Sequence, residues 1–331
     1  MSEYAWFNDA LDYKDVFLVP QYSECSSRSE IDTSITISKN LTLSVPVISA
    51  NMDTVTEHKL ATSMRRGGGI GALHRFMSIE RNIQEFKLTP SEVFVSIGVN
   101  EESKLRAQKL LEAGATHFII DIAHGHSKLM KDMVAWLRSE GGAGIFIMAG
   151  NVATQHAIGD LASWDVDAIK IGIGPGNVCL TKNVTGVTVP QFSAVKACAE
   201  ARKCLVDAPR RPLLVADGGI AEIGDIAKAL AAGADLVMCG RLFAASQEAP
   251  GERINGKKVY RGMASKDAML TIRSQSSLPT AEGASTLIDA SAISAEEICA
   301  QIKGGLQSAF SYSNSRTLQE FQDKAQWATR K

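Results

Sequence analysis

Residues 171–187 read IGIGPGNVCLTKNVTGV. Three alternating glycines, Gly172, Gly174 and Gly176, lead into Cys179, with Thr181 and Thr185 just beyond. Glycine lets a backbone come close to a ligand and present its N–H groups to an anion such as a phosphate. A thiolate is a strong nucleophile that needs only an electrophile held against it. The turn therefore has the composition of a phosphate-approaching loop that ends in a nucleophile. The other five cysteines, Cys25, Cys198, Cys204, Cys239 and Cys299, form no CxxC pair and read as small buried hydrophobes or free thiols.

Further polar residues follow short apolar runs in the same way. They are Asn51-Met52-Asp53, Asp121 with His124 and His126, Asn151, Asp217-Gly218-Gly219, and Gly240-Arg241. Taken singly, DGG or GPG is an ordinary turn. Asp53 alone could be a loop cap. HGH at 124–126 imitates a metal motif, yet no third ligand of suitable spacing accompanies it.

The elements that position these residues can be traced along the chain. Eight short, β-branched-rich runs recur: PVISA (46–50), GIGAL (69–73), VFVSIGV (93–99), HFIIDI (117–122), IFIMAG (145–150), AIKIGI (168–173), LLVAD (213–217) and LVMCG (236–240). They lack strict alternation, as expected of parallel strands buried on both faces. Between them lie amphipathic segments that stop at glycine: one ends at Gly114, one at Gly141 and one at Gly233. EAGATHFII and AAGADLVMC repeat one strand–helix junction. Spacing of ~23–28 residues suits right-handed βαβ units, and eight of them make a (β/α)8 TIM barrel spanning 1–331 as a single catalytic domain.

In such a barrel the polar ends of the strands share one rim, where ligands bind. Glycine loops on adjacent strands then form a phosphate site. Two departures from the regular spacing stand out. The loop after the sixth run is nearly twice the usual length and carries Cys179. The stretch after the eighth, from about residue 245 to 291, is polar and Gly/Ser/Thr-rich, and reads as a long mobile flap over the site.

Composition narrows the partners. The 331-residue chain has net charge −1 and 45% hydrophobic residues, with no basic stripe for nucleic acid. No run is long enough to span a bilayer, and the acidic start MSEYAWFNDALDYKD lacks a signal pattern, so a cytoplasmic protein is expected.

A resemblance sharpens these readings. DYKDVFLVP, ISANMDTV, IDIAHGHS, IMAGNVAT, IGIGPGNVCLTK, ADGGI, YRGMAS and GGLQSAFSY resemble the IMP dehydrogenase / GMP reductase family from end to end. IDIAHGHS and GPGNVCLTK look most like its GMP-reducing bacterial branch. The resemblance implies that Cys179 attacks purine C2, with Thr181 and Glu282 handling protons at the amino group. It implies nucleotide contacts from Ser49, Asn151, Asn177, Asp217, Gly218, Gly219, Gly240, Arg241, Gly262 and Met263. Asp217 would meet the ribose hydroxyls and the glycine loops the phosphate. Ser96, Asp121 and Ala123 would hold NADPH. Carbonyls of Gly174, Gly176 and Cys179 match a monovalent-cation (K+) site. The implied reaction is NADPH-dependent reductive deamination of GMP to IMP and ammonia by a homotetramer.

Two departures from the family pattern are present. Asn177 stands where the family often has serine, and SLPTAEG leads to Glu282 where Arg and Ser are common. Two rival readings remain. One is an IMP dehydrogenase without regulatory domains, against which the flap TIRSQSSLPTAEG offers Arg273 but no adjacent tyrosine. The other is a non-catalytic purine nucleotide-binding barrel, against which the intact Cys179, Thr181 and Glu282 count.

Overall fold

The computed structural model describes residues 9–89, 92–206, 209–273 and 280–330. Before the barrel come three short strands: β1 (Val16–Val19), β2 (Ile35–Ser38) and β3 (Leu41–Leu43). The barrel strands are β4 (Val47–Ser49), β5 (Ala72–Leu73), β6 (Phe94–Ile97), β7 (His117–Asp121), β8 (Phe146–Val152), β9 (Ala168–Ile171), β10 (Leu213–Asp217) and β11 (Leu236–Cys239). Each falls inside one of the eight apolar runs except β8, which continues two residues past IFIMAG to Val152. All pair in parallel, in the order β4-β11-β10-β9-β8-β7-β6-β5. The ring closes where Ile70 bridges Ile48, with Ser49 N–H donating to the Ile70 carbonyl at 3.1 Å. The fold is a (β/α)8 barrel.

Strand parity sorts the side chains, because successive residues of a strand face opposite sides. Ile48, Phe94, Ile119, Met148, Ala168, Val215 and Leu236 fill the barrel interior. Val47, Val95, Ile120, Ala149, Ile169, Ala216 and Val237 pack outward against the helices. The β2–β3 hairpin plugs the floor with Leu41 and Leu43. The three glycine-stopped helices span Glu101–Glu112, Lys128–Gly141 and Ile223–Ala231. The second keeps Gly141 helical, and the left-handed residue is Gly142 (φ 68°). No helix among the described residues is long and apolar enough to cross a membrane.

The stretch after β11 has more regular structure than its polar composition suggests. β12 (Arg253–Ile254), β13 (Lys257–Arg261) and β14 (Ser285–Asp289) form an antiparallel sheet, and a helix spans Lys266–Arg273. Ala268, Met269 and Ile288 are buried. Arg261 clamps the sheet to the loop after β4 through both oxygens of Asp53, with Nε–Oδ2 at 3.0 Å. Lys258, itself buried, donates to the carbonyls of Ser246 and Ala249. Composition misled here because anchoring comes from a few spaced side chains and from backbone pairing that any sequence can supply. Residues 274–279 of the flap lie outside the described residues. Finally, β15 (Gln326–Thr329) pairs antiparallel with β1, tying the last strand to the first.

Candidate active site

A cavity of about 330 Å³ opens at the C-terminal ends of the barrel strands. Its wall gathers Cys179, Thr181, Glu282, Asn151, Asp217, Gly218, Gly240, Gly262, Met263, Asp121, Ala123, Gly174 and Gly176. These come from loops far apart in sequence.

The center of the site is a hydrogen-bonded chain of three side chains. Cys179 Sγ donates to Thr181 Oγ1 at 3.3 Å, and Thr181 Oγ1 donates to Glu282 Oε2 at 2.9 Å. Glu282 lies 101 residues from Thr181 and reaches it because flap and loop pair as strands do. Leu180 N–H donates to the Glu282 carbonyl at 2.7 Å, and Ala284 N–H to the Val178 carbonyl at 2.9 Å. Cys179 and Gly283 form an antiparallel bridge, while Gly283 also bridges Ser265. A Cβ on Gly283 would sit 2.7 Å from Ser265 N and 2.9 Å from the Ala264 carbonyl carbon, so only glycine fits between the two backbones.

Burial separates the cysteines chemically. It pushes the thiols of Cys198 and Cys239 far up, and that of Cys299 up to about 12. Cys179 is part-exposed on the cavity wall.

The cavity wall also carries a charged layer, of which sequence reading assigned Asp121 and Asp217 but not Lys170. Lys170, only 2% exposed, extends from β9 into the barrel and donates to Asp121 Oδ1 and Asp217 Oδ2, each at 2.7 Å. Burial opposes its charge, but the two carboxylates raise its pKa above the ordinary lysine range. Burial by itself would raise the Asp121 carboxyl; the Lys170 ammonium and the Arg75 guanidinium outweigh it and hold it below the usual carboxylate range. Asn151 Nδ2 donates to Asp217 Oδ2 at 2.9 Å and to the Gly172 carbonyl at 2.7 Å. A signal for Lys170 existed: a single cation in the apolar run AIKIGI, at the inward parity set by Ala168.

Tyr260, also unassigned from sequence, lines the cavity, and a Cβ on Gly240 would lie 2.6 Å from its hydroxyl. Burial, then the Asp217 charge, raises that phenol well above its usual range, so it stays a donor beside the Gly218 and Gly240 turns.

The remaining assigned residues lie elsewhere. Asn177 and Gly219 line a neighboring cavity of about 420 Å³ with Lys14, Lys182 and Lys228. Ser49 has outward parity and is wholly buried, accepting from Thr56 Oγ1 at 2.8 Å. Ser96 is wholly buried at an inward position of β6. Arg241 is exposed at the start of a four-residue helix after Gly240. Of the three carbonyls matched to a cation, that of Gly176 accepts Cys179 N–H at 3.0 Å, which leaves it a second lone pair. His126 Nε2 meets Asp160 Oδ2 at 2.7 Å, and no group of three metal-ligating His, Cys, Asp or Glu occurs among the described residues.

Across residues 10–331 the chain matches the model of the IMP dehydrogenase / GMP reductase domain. The chain belongs to the IMP dehydrogenase / GMP reductase family. Its relatives carry both names. It is 39% identical over 269 residues to a GMP reductase of Mesoplasma florum, covering 78% of this chain and 80% of that one. It is 34% identical to an inosine-5'-monophosphate dehydrogenase of Cryptosporidium parvum, covering 96% and 91%. A GMP reductase of Leishmania donovani is 29% identical over 96% of this chain and 94% of its own. IMP dehydrogenase / GMP reductase enzymes are oxidoreductases that act on purine nucleotides with a nicotinamide cofactor. A second cavity of about 980 Å³ shares Arg75, Phe76 and Ile122 with the first, which gives the room a dinucleotide needs.

Proposed function

We propose that this chain reduces GMP to IMP and ammonia, with Cys179 as nucleophile. The observation that carries the reading is the Cys179–Thr181–Glu282 chain on the cavity wall. The thiol proton passes to Thr181 as Thr181 hands its own to the Glu282 carboxylate. The sulfur attacks purine C2, making an S–C2 bond while the C2=N3 π pair moves onto N3. Glu282 then returns the proton through Thr181 to the exocyclic amine; the N3 pair re-forms C2=N3, the bond from C2 to the amine breaks and ammonia leaves. NADPH, when bound, would supply one hydride to C2, with the C2=N3 pair again moving onto N3. The S–C2 bond then breaks, sending its electron pair back to sulfur and releasing IMP. Asp217 orients the ribose, and Gly218, Gly240 and Tyr260 offer donors to the phosphate. Asp121 and Ala123, on either side of the Ile122 that the two cavities share, would hold the nicotinamide. A monovalent cation on the Gly174, Gly176 and Cys179 carbonyls would brace the turn under the sulfur.

The dehydrogenase relative keeps one rival open: IMP plus NAD to XMP. That reaction needs an activated water after hydride loss, and the flap sequence lacks the Arg-Tyr pair the family uses for it. Incubation with GMP and NADPH is expected to yield IMP and ammonia, while IMP and NAD give little XMP. Ready XMP formation together with inert GMP would overturn the assignment.

A further inference from the structure

We infer that Lys170 is a positioning residue: its buried ammonium bonds both Asp121 and Asp217, offsets their charges and aims them into one cavity as a single charge-sharing unit. The inference rests on the proposed contacts of Asp217 with the nucleotide and Asp121 with the cofactor.

Parity delivers the three groups to one layer. Asp121, Lys170 and Asp217 stand two residues beyond the interior residues Ile119, Ala168 and Val215 on three strands. On β8, between β7 and β9, the register partner of both Asp121 and Lys170 is Gly150. A Cβ there would lie 2.5 Å from Lys170 Cβ, so glycine leaves space for the lysine stem. The carboxylates remain partly open, at 24% and 20% side-chain exposure, whereas the ammonium that joins them is not. Both Asp217 bonds, from Lys170 and Asn151, use Oδ2, so Oδ1 remains an acceptor for a ligand hydroxyl. Without that nitrogen, the two carboxylates within its reach would give up their second proton only at higher pH, because neighboring like charges raise each other's pKa.

The other titratable groups facing the cluster are Arg75, Tyr260, Cys179 and Glu282 on the cavity wall, with Tyr13 and Cys239 buried behind Asp217. Among the cavity-lining residues just named, only Arg75 brings a second cation, and its Nη2 donates to the Asp121 backbone carbonyl at 3.4 Å. The Arg75 charge supports Asp121 alongside Lys170, and Lys170 is the cation that bonds both carboxylates.

The test is GMP binding by calorimetry from about pH 6 to 9, for wild type, Lys170→Met, Lys170→Arg and the double variant Lys170→Met/Asp121→Asn. The nucleotide phosphate titrates in every sample, so the ratio of variant to wild-type dissociation constant isolates the cluster. For Lys170→Met the pair retains a proton at the acid end and loses it as pH rises. The doubly charged pair then repels the anionic nucleotide, and the ratio should climb by about tenfold. Lys170→Arg should restore a flat ratio, and the double variant should be flat because one carboxylate remains. A lysine that served packing alone would give an equal loss at every pH. A flat ratio for Lys170→Met, or the same climb in the double variant, overturns the inference. If Lys170→Met does not fold by circular dichroism, the double variant should fold, and its failure also overturns it. Wild-type protein that binds neither GMP nor IMP removes the underlying reading instead.

Discussion

Cys179 and Glu282 occupy opposite ends of one hydrogen-bonded chain, so their replacements should fail differently. Cys179→Ala removes the atom that bonds to C2. Turnover should vanish while GMP binding persists, because the Gly218 and Gly240 turns and Asp217 are untouched; near-normal turnover would remove the covalent mechanism. Glu282→Gln keeps the shape and loses the proton, so the rate of ammonia release should fall by ~10²–10⁴ with GMP affinity little changed. Stopped-flow measurement of the two quantities separates these outcomes. Cys198, buried in the helix Gln191–Lys203, and Cys204, exposed just after it, should tolerate Ala with no effect beyond packing.

Among the elements, the pairing of flap and Cys179 loop makes the clearest demand. Gly283→Ala forces a Cβ against the Ser265 backbone and must displace the strand that carries Glu282. The barrel itself is untouched, so the thermal midpoint should barely move while kcat/KM drops about 10²-fold, the cost of a misplacement near 1 Å. An unchanged kcat/KM would show that the pairing is dispensable. At the other end of the barrel, β7 begins with His117, packed between Phe94 and Phe146 and bonded through Nδ1 to Thr116 Oγ1 at 2.9 Å. Burial lowers its pKa below the ordinary imidazole value, with Glu92 and Asp167 pulling weakly the other way. Below about pH 6.5 the unfolded chain binds a proton that the native state refuses. Stability should therefore fall as pH drops from about 6.5 toward the depressed folded pKa, and be unaffected above that window. Urea midpoints of wild type and His117→Phe across this range check it: the variant should lack the part of the acid slope due to this imidazole.

For the whole molecule, two expectations concern the flap and assembly. Amides of residues 282–284, which hold the Cys179 loop by backbone bonds, should gain hydrogen-exchange protection when GMP and NADPH are added. Equal protection in both states would count against a flap that closes with substrate. The family resemblance leads us to expect a homotetramer. Sedimentation of only a 35.5 kDa species at micromolar concentration would contradict it.

The eight strands, the shared rim, and the arrival of Cys179, Gly218 and Gly240 at one cavity were legible in the sequence. Their signals are local: apolar runs, glycine stops and loop composition reflect what a few consecutive residues can do. Glu282 was assigned by resemblance, since nothing within a short window of its sequence connects it to Thr181. What joins them is backbone pairing between Val178–Leu180 and Glu282–Ala284, and backbone bonds leave little mark on side-chain identity. The flap likewise looked irregular because its sheet is anchored by isolated contacts, Arg261 to Asp53 and Lys258 to two carbonyls. Lys170 lay between the two cases. Its parity was readable from AIKIGI, but the barrel's curvature alone brings Asp121 and Asp217 from strands on either side to one ammonium. Sequence determined which residues reach the rim; three-dimensional closure decided which of them share a proton or a charge, because those interactions depend on distances of about 3 Å that no spacing along the chain specifies.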